Sequence, residues 1–337
     1  MTTSFVSFAA QTKQQSTQLI GLRDSLNDLQ RQISTQKKHD TISGFGTDAA
    51  EVQRLRTDSD DISAYIDTID RTRLRGRIMT ESLTEITRIA REVAESFTLQ
   101  TQNGEVDIEA IRTVAQQNLI YLQDLINTKH GDAFVFAGND STSAPFDNEI
   151  LLNNNMQNEI TDWLAAGQTP AQLITDVNGF SGNNLGYSTA LGASGDVFAK
   201  IDVSVEVNYT VKADVSSLQD IVRFVALAAN LQYPDPAVDI ATDSEFHQIA
   251  DEIASGLTNA ARGLDDENYN LANKVKLMEN IQNRHMQDNE TLKEIISSTE
   301  DADTTEVLVA LQALQTQMQA SFQATNVINS LSLVNFL

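Results

Sequence analysis

The sequence predicts a mainly α fold: a long antiparallel helical bundle or coiled-coil rod made from both chain ends, with a small mixed α/β insert domain between them. Three observations carry that prediction. Apolar residues recur at helical spacing over residues 1–130 and 240–337, only four prolines and 15 glycines punctuate the chain, and one middle segment alternates with the period of a strand. Helices from the two flanks can share a bundle only if the chain runs out and returns. That places the insert at the far end and both termini together.

The first helix is drawn by Phe5, Phe8, Leu19, Leu22, Leu26, Leu29 and Ile33, on one heptad register with Thr12 and Gln15 in its remaining slots. "KKHDTISGFGTDAA" then reads as a loop, with Thr47 or Asp48 as N-cap of a second helix reaching Gln100. That helix carries Val52, Leu55, Ile62, Ile66 and Ile69, then Met79, Leu83, Ile86, Ala90, Val93 and Phe97. The two sets are out of phase by a short step around Arg73 to Gly76, as a coiled-coil stammer would be. A third helix follows on Ile108, Ile111, Ala115, Leu119, Leu122 and Ile126.

Beyond His130 the character changes. "GDAFVFAGNDSTSAPFDN" predicts a short buried strand and a turn-rich loop, and residues 157–178 predict one or two short helices around Gly167 and Pro170. Over Ile201 to Ala213, Ile201, Val203, Val205, Val207, Tyr209 and Val211 alternate with polar residues, which predicts one antiparallel strand with a single buried face. A helix over 217–230 and a break at "YPDP" lead to a very long helix over 244–298, with Leu271, Val275, Met278, Gln282, His285, Asn289, Leu292 and Ile296 in heptad register. "STEDAD" separates it from a tail helix. The expected division is 1–45 and 300–337 as terminal coiled-coil assembly segments, 46–130 and 240–299 as a helical rod domain, and 131–239 as an exposed mixed α/β domain.

Composition narrows the function. With 23 basic and 47 acidic residues the net charge is −24, which disfavours binding to a phosphate backbone. Nucleic acid is therefore not an expected partner. The absence of cysteine rules out a disulfide framework and thiolate zinc sites. "MTTSFVSFAAQTKQQ" lacks the order of a Sec signal, and no stretch approaches the roughly 20 apolar residues of a spanning helix. No membrane insertion is expected.

Local motifs carry little chemistry. "GFGTDA" matches a loose dinucleotide pattern on Gly44, Gly46 and Ala49, but no strand precedes it, so a helix-linking loop is expected. The histidines His39, His130, His247 and His285 lack metal-ligand spacing, and His285 reads as a partly buried packing residue. Acidic runs such as Asp60 and Asp61, or Asp265 to Glu267, read as solvated helix faces. The Asn-x-Ser/Thr sequences at Asn139, Asn208 and Asn289 read as chance, and "NDSTSAPFDN" lacks EF-hand spacing. No catalytic, cofactor or metal residue is expected, and the chain reads as a non-enzyme.

Charge distribution says more. Residues 1–22 hold one ionisable side chain, Lys13, and residues 307–337 hold none, although both ends are patterned for helix. In the tail the stripe is Val307, Leu311, Leu314, Met318, Phe322 and Ile328, with Leu331 beyond it. A lone surface helix carries Lys and Glu, so uncharged amphipathic ends suggest packing against many neighbours, where an unpaired charge is costly to desolvate. The stripe residues of the two ends, Val307 aside, form the expected assembly interface. The second feature is "RTRLRGR", which sets Arg71, Arg73, Arg75 and Arg77 in an acidic protein. It suits pairing within the chain, or an inter-subunit contact with an acidic stretch such as Glu300, Asp301 and Asp303.

Four stretches together resemble the flagellin superfamily, and most closely its hook-filament junction branch. "LNDLQRQISTQKK" is similar to the family segment on Leu29, Ile33, Ser34, Thr35 and Lys37, with "GTDAAEVQRLR" similar to the segment opening the second helix. "LTEITRIAREVAES" places Arg88, Arg91, Glu92 and Ala94 on motif positions. "TKHGDAFVFAGNDSTSAPF" resembles the junction-type sequence on Val135, Phe136, Ala137, Gly138, Pro145 and Phe146, and the C-terminal segment is similar up to its ending on Leu333, Phe336 and Leu337. Gln36 stands where the family often has Gly, and Thr47-Asp48-Ala49 where it has Asp-Asp-Pro.

The resemblance implies a self-assembling structural subunit, exported without a cleaved signal through the flagellar type III apparatus and located outside the cell in the flagellum. It implies hook-associated protein 1 below, flagellin above, and an export chaperone before secretion as partners. A flagellin filament subunit is the close alternative. A cytoplasmic signalling coiled coil is the remote one, since it would keep charged helix ends and lack a strand-containing insert.

Overall fold

The computed structural model describes residues 2–103 and 107–334, with side-chain surroundings described for 10, 13–98, 107–165 and 167–327. The expected class is what it has: mainly α, with two small antiparallel strand pairs among the described residues. The chain divides into two compact units, Met1–Ser63 with Met286–Leu337, and Ala64–His285. The boundary falls inside two long helices.

The first unit holds α1 (Thr2–Thr35), a 3-10 turn over Ile42–Asp48, the start of α2 (Ala49–Asn103), the end of α8 (Asp243–Glu300) and α9 (Thr304–Val334). Helix α1 packs on α9, and the bridge between Lys37 and Asp301 makes the pair antiparallel. Helix α9 starts where Asp303 Oδ1 accepts from the backbone N–H of Thr305 at 2.8 Å and Glu306 at 3.2 Å, so "DADTTE" supplies its cap. Helix α2 instead emerges directly from the 3-10 turn. Thr47 donates to the Asp48 carboxylate at 3.2 Å, and among the described residues neither expected cap bonds an α2 amide.

Within this unit α2 meets α8 through Val52 and Leu55 and then through a polar layer. Ser59 Oγ donates to Asn289 Oδ1 at 2.6 Å, and Asn289 Nδ2 donates to Ser63 Oγ at 3.1 Å. A buried amide at a heptad core position is tolerable only when both its ends are bonded, and here they are.

The second unit contains the remainder of α2 and α8 with α3 (Ile108–Ile126), β1 (Lys129–His130), β2 (Ala133–Phe134), α4 (Glu149–Ala166), α5 (Pro170–Gly179), α6 (Thr189–Ala193), β3 (Phe198–Asp202), β4 (Val205–Asn208) and α7 (Ser216–Asn230). Its core centres on α7, whose Leu218, Ile221, Val222, Val225 and Leu227 are buried, and on Trp163, Tyr187, Phe136 and Phe246. The helix starts follow local chemistry. Thr169 and Gln172 form a capping box with Pro170 at the first position, while Asp107, Asn148 and Ser188 each accept from an amide three residues on. Helix α8 approaches α7 closely at Gly256, where a Cβ would lie 2.4 Å from the Phe224 ring.

Helix α2 runs unbroken through Arg73 to Gly76, as expected, and the phase step falls where Gly76 lets Val275 of α8 come within 2.6 Å of a would-be Cβ. Two expectations change. The "FVFAG" stretch is buried, but only Ala133–Phe134 pairs as a strand. Beyond it Val135 donates to Thr128 O, Phe136 O accepts from Ala213, and Ala137 O accepts from Ser194 Oγ, so irregular partners replace a ladder.

The single strand expected over Ile201 to Ala213 is instead divided, with β4 following β3 across a two-residue turn at Val203 and Ser204. Partners such as Ala199 with Val207 share parity, so odd positions face inward on both sides of the turn and the alternation hides it. Val203, 76% exposed, is the exception at the turn itself. Val-Ser is not the Asn-Gly type of hairpin turn, and among the non-glycine residues described only Gln36 has positive φ. A register shift between Lys200 and Asp202 accompanies the unprimed turn.

Candidate assembly surfaces

In the first unit the stripes of α1 and α9 face each other without closing a core. Leu19, Leu22, Leu26, Leu29 and Ile33 of α1 are half-buried, as are Leu311 and Met318 of α9; Val307 and Leu314 are buried. Phe322 is 52% exposed, and Ile20, Leu308, Val309 and Val327 are also open to solvent. Phe5, Phe8, Ile328 and Leu331 lie outside the residues described at side-chain level. What is described is therefore a helix pair with much of its apolar surface uncovered, charge-poor over residues 13–22 and 307–327 and carrying Arg23, Asp24, Asp28 and Arg31 nearer its root.

The root of this pair is tied by charge. Glu300, 2% exposed, accepts from Arg56 Nε at 2.7 Å and Lys37 Nζ at 3.3 Å, and Lys37 also reaches Asp301 at 2.5 Å. Lys38 Nζ donates to the carbonyls of Ser298 and Thr299, both at 2.9 Å, capping the end of α8. The backbone N–H of Lys38 donates to Glu300 O, and that of Ala302 to Gln36 O. The hydrogen bond from Arg56, with Lys37 beside it, holds the Glu300 carboxyl below its usual range, and Lys37 with Ser297 does the same for Asp301. Sequence reasoning missed this clasp. Its acidic half was visible in "STEDAD" and Lys37 stood on a motif position, but 263 residues separate Lys37 from Glu300.

The arginine run of the second unit splits in two. Arg73 donates to Gln282 Oε1 and lies 3.5 Å from Glu279, while Arg75 donates to Phe134 O at 3.3 Å and Val135 O at 3.1 Å and lies over the Tyr209 ring. These two arginines satisfy carbonyl and amide oxygens inside the unit, the pairing within the chain. Arg71 and Arg77 are exposed and form no ion pair among the described residues, and Leu74 between them is exposed as well. The acidic stretch weighed as their complement is engaged within the chain: Glu300 and Asp301 by the clasp, Asp303 by the α9 cap.

Among the described residues no group of His, Asp and Glu could hold a metal ion, and no helix is long and apolar enough to cross a membrane. His285 is 4% exposed, its Nε2 is 2.8 Å from Ile201 O, and its ring stacks on Tyr65. It is a packing residue holding β3 to α8.

No family model matches the chain, and no curated protein matches it in sequence. Among solved structures, it is similar in fold to one from Vibrio parahaemolyticus provisionally named a flagellar hook-associated protein, with a TM-score of 0.53 at 10% identity, over 75% of this chain and 97% of that one.

Proposed function

We propose that this chain is a non-catalytic structural subunit of the bacterial flagellum that joins hook to filament by helical packing, the role of hook-associated protein 3. The observation that carries the reading is the fold likeness to the Vibrio structure, which spans nearly all of that chain. The charge-poor, half-covered ends of α1 and α9 support it, because such a surface is stable only when neighbouring subunits cover it. On this reading residues 1–45 and 300–337 are the assembly segments, 46–130 and 240–299 the helical rod, and 131–239 the outward domain. Copies of itself, hook-associated protein 1, flagellin and an export chaperone are its partners, and its place is outside the cell.

The filament subunit is the second reading, favoured by ends of the same type; the "FVFAG" stretch and the "SLVNFL" tail favour the junction. Immunogold labelling of cells separates the two. A single cluster where hook meets filament is expected, and label along the whole filament overturns the junction assignment.

A further inference from the structure

We propose that Arg71, Leu74 and Arg77 form a docking strip for the acidic α2 face of a second copy of this chain, an inference that rests on reading the chain as an assembling subunit. Residues 71, 74 and 77 follow at i, i+3 and i+6 on α2, so their side chains emerge from one side of the helix. All three are exposed, and neither arginine has a carboxylate within ion-pair distance among the described residues, in a protein where acidic residues outnumber basic ones two to one. Their neighbours Arg73 and Arg75 are consumed by Gln282, Glu279 and the carbonyls of Phe134 and Val135. The strip is what the run leaves over: two cations flanking a leucine.

The occupant follows from charge. Exposed carboxylates already held in the chain, such as Asp301, are poor partners because a new contact must first break an existing one. Asp58, Asp60 and Asp61 on α2 and Glu290 and Glu294 on α8 are exposed and make no ion pair among the described residues. Asp58 and Asp61, three residues apart, share one side of α2, and a second copy always brings that side with it. Leu74 adds apolar area at the centre of the contact, where water is excluded and each charge pair counts for more.

The test uses the purified full-length chain and its concentration-dependent self-association, followed by sedimentation velocity at several salt concentrations. Wild-type association is expected to weaken as salt rises, because the contact is screened within a Debye length of about 8–10 Å. Arg71→Glu with Arg77→Glu is expected to weaken association at least about tenfold at low salt, and adding Asp58→Lys with Asp61→Lys is expected to restore it. Circular dichroism of the neutral pair Arg71→Gln and Arg77→Gln controls for folding. A monomeric wild-type chain, salt-independent association, an unchanged double reversal, or a failed restoration in folded protein each overturns the inference. None of these outcomes bears on where immunogold finds the protein, so the flagellar reading stands or falls separately.

Discussion

Gln36 holds φ +57° between α1 and the clasp, a conformation glycine adopts freely and a residue with a Cβ does not. Its carbonyl must point at the Ala302 amide to start the turn into α9, so the geometry is imposed by the bond it makes. We expect Gln36→Gly to leave stability unchanged or raise it by up to about 1 kcal/mol, and Gln36→Val to lower it by about 1–3 kcal/mol. Chemical denaturation of the full chain followed by circular dichroism measures both, and a glycine variant less stable than the valine variant would contradict the strain. That a glycine-like residue was needed here was legible in the sequence as a departure from the resembled pattern. That Glu300 would be buried against Arg56 was not, because a lone glutamate beside a loop reads as solvent-facing until its cations are brought to it.

Among the elements, the junction of α1, α8 and α9 is held by titratable groups whose shifts have a direction, and the direction of its pH response follows. The Glu300 and Asp301 carboxyls lie below their ordinary values of 4.5 and 3.8, so their contribution is complete above those values and is lost as pH falls through the lower native ones. Lys37 lies above 10.5, so its contribution is complete below that value and fades only in strong alkali. Stability at this junction should therefore be flat near neutrality and fall in acid, below about pH 4. Helix content of the wild type against Glu300→Gln with Asp301→Asn reads this, and an identical acid profile for the two would remove the role. Element existence was largely readable from apolar period: α3, α7 and α8 lie within two residues of their expected bounds. The hairpin of β3 and β4 was not: a two-residue turn alone pairs opposite parities, as in Asp202 with Val205, and the register shift between Lys200 and Asp202 restores the alternation, so the pattern carries no trace of the turn.

For the whole molecule, Trp163 is the single tryptophan, is fully buried, and belongs to the second unit. It reports that unit alone. Deleting residues 1–22 or 307–337 is expected to leave its emission and its unfolding midpoint unchanged while abolishing incorporation into flagella; a truncated chain that still incorporated would show that the ends are not the assembly elements. The two-way division itself was hidden from the sequence, because its boundary lies inside α2 and α8 and has no loop to mark it. The charge-poor ends of α1 and α9 have one more consequence. A stripe of Leu, Ile, Met and Phe flanked by Gln, Ser and Thr offers a neighbour nearly the same welcome at every heptad, and sliding by one repeat shifts it only about 10 Å. Such a surface supplies adhesion without an address. Where along the helix a neighbour stops must be written elsewhere in the chain, in groups that can repel as well as attract.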